Sequence, residues 1–369
     1  MDKAAFAHWL GGLALLDAAQ RLRVVAELTG DGAAVAVPDG AQRRGISGDA
    51  GGGAAVVVAA TQVSSAGPAA DLMSQLGAER LARFGCPHCD AEDVQRWGRA
   101  AGKPRYRCKS CRRTFNPLTG TPLAGLHYPQ RWGDQAQALI AGETVAKAAK
   151  RCKINYTTAF RWRHRFLDAL TQDKPRHLCG IVEADETFIL ESFKGRRSGL
   201  PRAARTRGGK AAKRGLSDEQ IPVMVARDRS GATIDAVLPR LDAASITAAI
   251  GHVIARQAEF CCDGGTAIKA FARRAGLTVH VLPAPGGPAP HAPHLHINNV
   301  NAYHGRLKEW MRRFHGVATA NLSNYLSWRR TIEALQPEPT PDLWIKAAAG
   351  LGPYQQRAQS ERISLYARM

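Results

Sequence analysis

The pattern of hydrophobic and polar positions divides the first half of the chain into four stretches of different character. Residues 1–30 carry apolar side chains at helical spacing, which predicts one or two short helices. Residues 31–68 are rich in glycine, alanine, valine and serine without a sustained period, which predicts a flexible insert. A helix over 69–83 then leads into short strand-like runs up to residue 120, and 129–172 has the pattern of three helices.

The second half of the chain alternates apolar runs of strand length with amphipathic stretches of helical length. Three predicted strands come first, and helices and strands alternate after them, which indicates a mixed sheet covered by helices over 180–335. A proline-rich segment then marks the start of a tail, 336–369. The predicted strands are 181–189, 222–227, 232–238, 260–263 and 277–282, and the predicted helices are 244–258, 267–275 and 300–314.

Charge adds the first indication of function. The chain has 51 Lys and Arg against 31 Asp and Glu, a formal net charge of +20, which points to a polyanionic partner, most commonly nucleic acid. Residues 191–214, directly after the first predicted strand of the sheet, hold nine basic residues and one acidic residue. No apolar run approaches the roughly 18 residues needed to span a bilayer, so we expect no membrane association.

Four of the eight cysteines form two CxxC pairs, Cys86 with Cys89 and Cys108 with Cys111, separated by 18 residues. This spacing is typical of a structural Zn²⁺ site in which four thiolates close two tight turns into a ribbon over 69–120. His88 is a further candidate ligand, and two disulfides or buried free thiols are the alternative interpretation. The scattered remaining cysteines favour a cytosolic protein over a secreted one.

Basic residues crowd the second cysteine pair. Arg107, Arg112 and Arg113 are the candidates for contacts with DNA phosphates, and a solvated basic face without a partner is the alternative.

The segment 129–172 has the lengths of a helix-turn-helix, with a helix over 143–151 and a second helix after a short turn. On the second helix, Thr158, Arg161 and Arg165 lie on one face, which is the candidate DNA-binding face. Basic helical hairpins without any DNA contact are also common, so this pattern alone leaves both interpretations open.

Acidic residues interrupt the apolar strand at 181–189, where charge is costly unless a metal ion or partner compensates it. Glu183 and Asp185 point to one face of this strand and Glu186 to the other, so the first two could share a site, and we interpret Glu183 and Glu186 as supporting or structural residues. Asp263 ends a second predicted strand. Two aspartates at the ends of strands predict Mg²⁺ or Mn²⁺ bound through oxygen.

Asn301 and Lys308 lie seven positions apart in a predicted helix, so both face the same side, about 10 Å apart along the axis. Helix and strand capping by Asp185, Asp263 and Asn301 is the alternative to catalysis. Five histidines also gather within 25 residues, and we interpret those in the proline-rich stretch as loop residues rather than a second zinc site. These histidines are His280, His291, His294, His296 and His304.

Several motifs together resemble one protein family over roughly residues 79–334. They are CPHC from Cys86, YRCKSC from Tyr106, FNPLTGTPL from Phe115, TAFRWRHR from Thr158, VEADETF from Val182, Asp263-Gly264, NVNAYHGRLK from Asn299 and FHGVAT from Phe314. The set is similar to bacterial insertion-sequence transposases of the ISXO2-like group, which have an N-terminal zinc ribbon and a ribonuclease-H-like catalytic domain.

The resemblance implies an α/β fold in which a zinc ribbon and a helix-turn-helix precede a ribonuclease-H-like mixed sheet with flanking helices. It implies that Asp185, Asp263 and Asn301 form a D-D-N metal-binding triad, with Lys308 as an associated basic residue. The implied activity is Mg²⁺- or Mn²⁺-dependent cleavage and transfer of double-stranded DNA at terminal inverted repeats and target sites, by a homo-oligomer acting at the nucleoid in the bacterial cytoplasm. A non-catalytic DNA-binding protein, or a nuclease of another kind, are the competing hypotheses.

Overall fold

The computed structural model describes residues 68–196, 198–206, 208–213, 217–282, 288–289 and 292–355. The helices expected over 1–30 and the flexible insert expected over 31–68 lie outside the described residues except for Pro68, which begins α1, and His291 lies outside them as well. The first described helix, α1 (Pro68–Phe84), confirms the helix predicted over 69–83. No helix in these ranges is long and apolar enough to cross a membrane.

A small three-stranded antiparallel sheet follows α1. It consists of β1 (Val94–Ala100), β2 (Lys103–Cys108) and β3 (Thr114–Phe115), with β2 in the centre. Its buried cluster contains little apolar surface, namely Cys86, Tyr106, Cys108 and Phe115. Because apolar burial of this extent does not stabilise an independent unit, the ribbon needs another source of stability.

Three helices come next, as the sequence predicts: α2 (Trp132–Ile140), α3 (Val145–Arg151) and α4 (Tyr156–Gln172). The side chain of Thr144 accepts a hydrogen bond at the start of α3, and that of Asn155 does so at the start of α4, which fixes where each helix begins.

The larger sheet has five strands: β4 (Ile181–Leu190), β5 (Gln220–Asp228), β6 (Thr233–Val237), β7 (Glu259–Cys262) and β8 (Thr278–Val281). Their spatial order is β6-β5-β4-β7-β8. The first three strands are antiparallel to one another, and β7 and β8 run parallel to β4. This is the mixed sheet of a ribonuclease-H-like fold and confirms the predicted fold class.

Helices cover both faces of this sheet because alternate strand residues point to opposite sides. On one side, Val223, Val225 and Cys261 pack in the same cluster as α7 (Asn298–Arg312) and α8 (Leu322–Ala334). On the other side, Met224 and Phe260 pack in the same cluster as α5 (Ala243–Ile246) and α6 (Thr266–Ala275).

The helix predicted over 244–258 is wrong beyond residue 251. After α5 the chain makes a π-helical turn, Thr247–Gly251, and then turns towards the sheet. Leu178 donates its amide to the carbonyl of Val253 at 2.7 Å, and Ala255 donates to the carbonyl of Leu178 at 3.0 Å. These strand-like pairings satisfy the backbone there and end the helix.

The tail predicted over 336–369 is wrong for residues 341–348, which form helix α9 (Pro341–Ala348). Trp344 is fully buried in the cluster that also contains residues of α2 and α4. Thr340 caps the helix, and Pro341 occupies its first turn. Proline is favoured at that position, so the proline-rich segment marks a helix start rather than the end of the fold.

Candidate active site and nucleic-acid interface

Three carboxylates meet at the centre of the large sheet. Asp185 and Glu186 lie on β4, and Asp263 directly follows β7. One oxygen from each of the three lies within 4.8 Å of the others. The structure therefore brings together the two aspartates expected from the sequence and adds Glu186, for which we expected only a structural or supporting position.

The end of β7 explains how residues from opposite faces of β4 converge. β7 pairs with β4 only as far as Cys261 opposite Glu183. Asp185 and Glu186 lie past that point. Among the described residues, β4 has no neighbouring strand there on the edge that faced β7, so side chains from both faces of β4 can reach this edge. Asp263 enters the same gap, held by a hydrogen bond from the amide of Gly265 to its Oδ1 at 3.0 Å.

The three carboxylates repel one another. Burial, followed by the nearby charges of Asp263 and Asp185, raises the pKa of Glu186 to about 7. Its Oε2 is buried and has no hydrogen-bond partner among the described residues. Carboxylate oxygens are the preferred ligands of Mg²⁺ and Mn²⁺, so the donor set fits a divalent cation of this kind.

Helix α7 lies against the cluster. The Nδ1 atom of His304 is 3.5 Å from Oδ2 of Asp185. Asn301 lies about one turn before His304 and Lys308 about one turn after it, and both are exposed. The structure thus places the two predicted α7 residues on either side of a histidine that contacts the acidic cluster.

Glu183 does not join Asp185 in this site, although both were assigned to the same face of β4, and it has a structural role, as expected. It is fully buried, and its carboxylate accepts hydrogen bonds from the backbone amide of Val300 at 3.0 Å and the side chain of Asn299 at 3.1 Å. Arg229 lies 3.0 Å and His296 3.3 Å from the same carboxylate. Glu183 therefore fastens the first turn of α7 to the sheet, where a negative charge also favours the helix dipole.

We expect Glu183→Ala to lower the free energy of unfolding by about 1–3 kcal/mol, because it leaves the buried amide of Val300 without its acceptor. Chemical denaturation measures this change. Hydrogen exchange at Val300 should accelerate as well, since the first turn of α7 loses its anchor. Glu259→Ala, at a partly exposed glutamate of β7, is the matched control. Equal stability of the two variants would contradict this role of Glu183.

The four predicted cysteine ligands form one cluster in the ribbon. Their sulfur atoms lie within 4.8 Å of one another, with Cys86 and Cys111 3.7 Å apart and Cys89 and Cys108 3.6 Å apart. Tetrahedral Zn²⁺ with bonds of about 2.3 Å requires sulfur separations of about 3.8 Å. The spacing of the thiols therefore fits a closed four-cysteine metal site.

The outer surface of the ribbon is basic and includes an exposed aromatic residue. The guanidinium of Arg107 stacks over the ring of Trp97 at 4.6 Å, and that ring is 44% exposed. Arg112 and Arg113 are exposed next to the second cysteine pair. Sequence reasoning missed Trp97, although a tryptophan flanked by arginines in a short strand is a signal of a binding surface.

The predicted DNA-binding face of α4 is only partly available. Arg161 is exposed and Thr158 is half-buried. Arg165 hydrogen-bonds the backbone carbonyls of Pro122 and Ala124, the latter at 2.7 Å, so its guanidinium holds the preceding loop. The exposed rings on the first turns of this helix belong to Tyr156 and Phe160, which sequence reasoning did not select.

Buried arginines attach the helix-turn-helix to the large sheet. Arg163 of α4 lies 4.9 Å from the ring centre of Trp328 on α8 and donates to the carbonyl of Glu143 at 2.7 Å. Arg330 of α8 pairs with the buried Asp235 of β6 and donates to the carbonyl of Leu170 at 2.8 Å. The two parts of the chain are thus packed into one unit through α8.

His164 of α4 makes this contact sensitive to pH. Its Nδ1 accepts a hydrogen bond from Asn324 at 2.9 Å, and burial, followed by the charge of Arg163, lowers its pKa to about 4. The unfolded chain, with a histidine pKa near 6.5, binds the proton more readily. The stability that His164 contributes is therefore present above pH 6.5 and is lost as the pH falls towards 4.

We expect the free energy of unfolding to fall by about 1–2 kcal/mol through His164 over this range, allowing for solvent screening of a partly exposed group. Urea denaturation at pH 7 and at pH 4.5 measures it. His164→Gln should reduce the dependence on pH, whereas His252→Gln, at an exposed histidine, should leave it unchanged. The same dependence in all three proteins would contradict the assignment.

Two segments of the chain match known domain families. Residues 177–330 match the ISXO2-like transposase domain, and residues 131–171 match a homeodomain-like domain. The first match covers β4 to α8 and includes all three clustered carboxylates. The large sheet and its helices are therefore similar to an ISXO2-like transposase domain, and α2 to α4 are similar to a homeodomain-like domain.

A curated relative is an uncharacterized protein in transposable element ISH50 of Halobacterium salinarum, 37% identical over 147 residues. The match covers 39% of this chain and 49% of the relative, so it spans about half the length of that protein.

Among solved structures, the search matches the pre-cleavage Mos1 transpososome and the Mos1 mariner paired end complex with Mn, both 17% identical. Each match covers 62% of this chain and 81% of the other, with TM-scores of 0.18 and 0.19. The fold assignment rests on the strand order described above.

Proposed function

We propose that this protein is the DNA transposase of an insertion sequence, which binds the terminal inverted repeats of its element and catalyses metal-dependent strand cleavage and strand transfer. The observation that carries this proposal is the convergence of Asp185, in the middle of β4, with Asp263, directly after β7, within the part of the chain that matches a transposase domain. The exposed basic residues of the ribbon and of α4 support a DNA substrate.

Recognition of the repeats is assigned to the ribbon and the helix-turn-helix. We propose that Cys86, Cys89, Cys108 and Cys111 hold a structural Zn²⁺, because their spacing fits closed tetrahedral coordination. Arg107, Arg112 and Arg113 would contact phosphates. On α4, Arg161 and Thr158 remain candidates for base or phosphate contacts, and Tyr156 and Phe160 extend the exposed surface.

The catalytic assignment places Mg²⁺ or Mn²⁺ on Asp185 and Asp263, with the carboxamide of Asn301 approaching from α7. When bound, the cations activate a water or a DNA 3′-hydroxyl and stabilise the leaving oxygen of an in-line phosphoryl transfer. Asn301 offers an oxygen without adding negative charge. Lys308 would hold a DNA phosphate, and Glu183 keeps both residues in place by fastening α7.

Joining two ends of one element requires two copies of the active site, so we propose that the protein acts as a homo-oligomer on paired DNA ends and a target duplex. Chromosomal DNA as the substrate would place it in the bacterial cytoplasm, at the nucleoid.

An in vitro assay tests this function. The purified protein is incubated with labelled DNA that carries the element's ends, with Mg²⁺, with Mn²⁺ or with EDTA, and a duplex with scrambled ends is the control. We expect metal-dependent breaks at the ends and joined products with target DNA. Specific binding without any break would instead favour a non-catalytic DNA-binding protein.

A further inference from the structure

The acidic cluster contains one carboxylate more than a D-D-N arrangement requires. Resting on the proposed function, we infer that Glu186 is itself a ligand of the divalent cation, so that two consecutive residues of β4 hold the cation together with Asp263. Asn301, which brings no charge, then has a supporting place in the site.

The position of Glu186 supports this inference. Its oxygen lies within 4.8 Å of oxygens from both aspartates. A Cβ atom added to Gly265 would stand 3.4 Å from Oε1 of Glu186 and 3.5 Å from Oδ1 of Asp263, so these two oxygens border the same small space. Side chains from the two faces of β4 reach that space because β7 has ended.

Among the described residues, Glu186 lacks the basic partner and the hydrogen-bond donors that the neighbouring Glu183 has. Glu183 is buried with an arginine at 3.0 Å and two hydrogen-bond donors. In the part of the chain that the structure describes, neither Glu186 nor Asp263 has an ion pair with a basic side chain, and Oε2 of Glu186 is buried without a donor. A carboxylate with a buried, unpartnered oxygen and no counter-charge is costly, and a divalent cation would supply the missing charge.

His304 is an independent indication of a ligand at this place. Its side chain is only 8% exposed, it contacts Asp185, and its Nε2 is buried with no partner among the described residues. A buried polar nitrogen without a partner needs an explanation, and a ligand bound at the neighbouring acidic cluster would provide one.

Mn²⁺ binding tests the inference without any measurement of activity. The zinc-loaded full chain is titrated with Mn²⁺ alone, and free Mn²⁺ is followed by electron paramagnetic resonance. We expect Glu186→Gln and Asp263→Asn each to weaken Mn²⁺ binding by about tenfold or more, while the matched control Glu259→Gln should keep the wild-type affinity. Wild-type affinity in Glu186→Gln would overturn the inference.

A measurement on the wild-type protein covers the case in which the variant does not fold. Carboxylates are labelled with a carbodiimide and an amine nucleophile, with and without Mn²⁺, and mapped by mass spectrometry. Mn²⁺ should protect Glu186 together with Asp185 and Asp263, and leave Glu259 unchanged. Protection of the two aspartates without Glu186 would overturn the inference and leave the proposed function standing. No Mn²⁺ effect on any of the three would remove the metal site, and the proposed function with it.

Discussion

Replacement of Asp185 by asparagine is expected to reduce strand cleavage by roughly a thousandfold or more, because a carboxylate that holds the catalytic cation cannot be replaced by a neutral amide. The affinity for DNA that carries the element's ends should stay within about twofold, since Asp185 lies apart from the ribbon and α4, which carry the contacts assigned to recognition. Cleavage assays and electrophoretic mobility shifts on the same preparation measure the two quantities.

The control for Asp185→Asn is Glu259→Gln, which removes a carboxylate from the other end of the neighbouring strand β7. It should cleave at the wild-type rate. If Asp185→Asn also cleaved at that rate, the acidic cluster would not be the active site. If both variants lost DNA binding, the defect would lie in folding, which circular dichroism would show.

Removal of zinc is the second large effect that we expect. Binding of structural zinc to four thiolates contributes about 10–16 kcal/mol, and the ribbon has too small an apolar cluster to replace it. In Cys108→Ser, or after chelation, the amides of β1 to β3 should exchange with solvent within seconds while those of β4 and β5 stay protected. Hydrogen exchange with mass spectrometry resolves the two regions, and DNA affinity should fall with the loss of the ribbon.

The matched control for zinc removal is Cys179→Ser, which changes an exposed cysteine outside the cluster. Its zinc content should remain one ion per chain, whereas Cys108→Ser should hold none. A ribbon that kept its protected amides without zinc would show that the thiols have only a packing role.

The order of helices and strands over 180–335 could be predicted because the apolar positions of each segment recur with the period of a helix or of a strand. The prediction failed where tertiary contacts override the local pattern. Residues 252–258 have helical spacing, but hydrogen bonds with Leu178 draw their backbone towards the sheet. Residues 341–348 follow a proline-rich stretch, and only the burial of Trp344 shows that they belong to the core.

The sequence predicted the two aspartates of the candidate site, Asp185 and Asp263, but not its third carboxylate, Glu186. Strand alternation correctly assigns Asp185 and Glu186 to opposite faces, and this rule argued against a shared site. Residues on opposite faces are kept apart only where strands pair with β4 on both of its edges. The early end of β7 lets both side chains reach one gap, and pairing length is a property of the folded sheet that local sequence does not encode.

The attachment of α4 to the sheet through Arg163 and Arg330 bears on the distance between the DNA sequence that is recognised and the phosphate that is cleaved. Helix α4, to which we assign DNA recognition, belongs to the same packed unit as the carboxylates and so lies at a constant distance from them. We therefore expect a constant number of base pairs between the recognised sequence and the position at which the DNA strand is cleaved. Inserting about five base pairs between them, half a turn of B-DNA, should leave binding intact and abolish accurate cleavage.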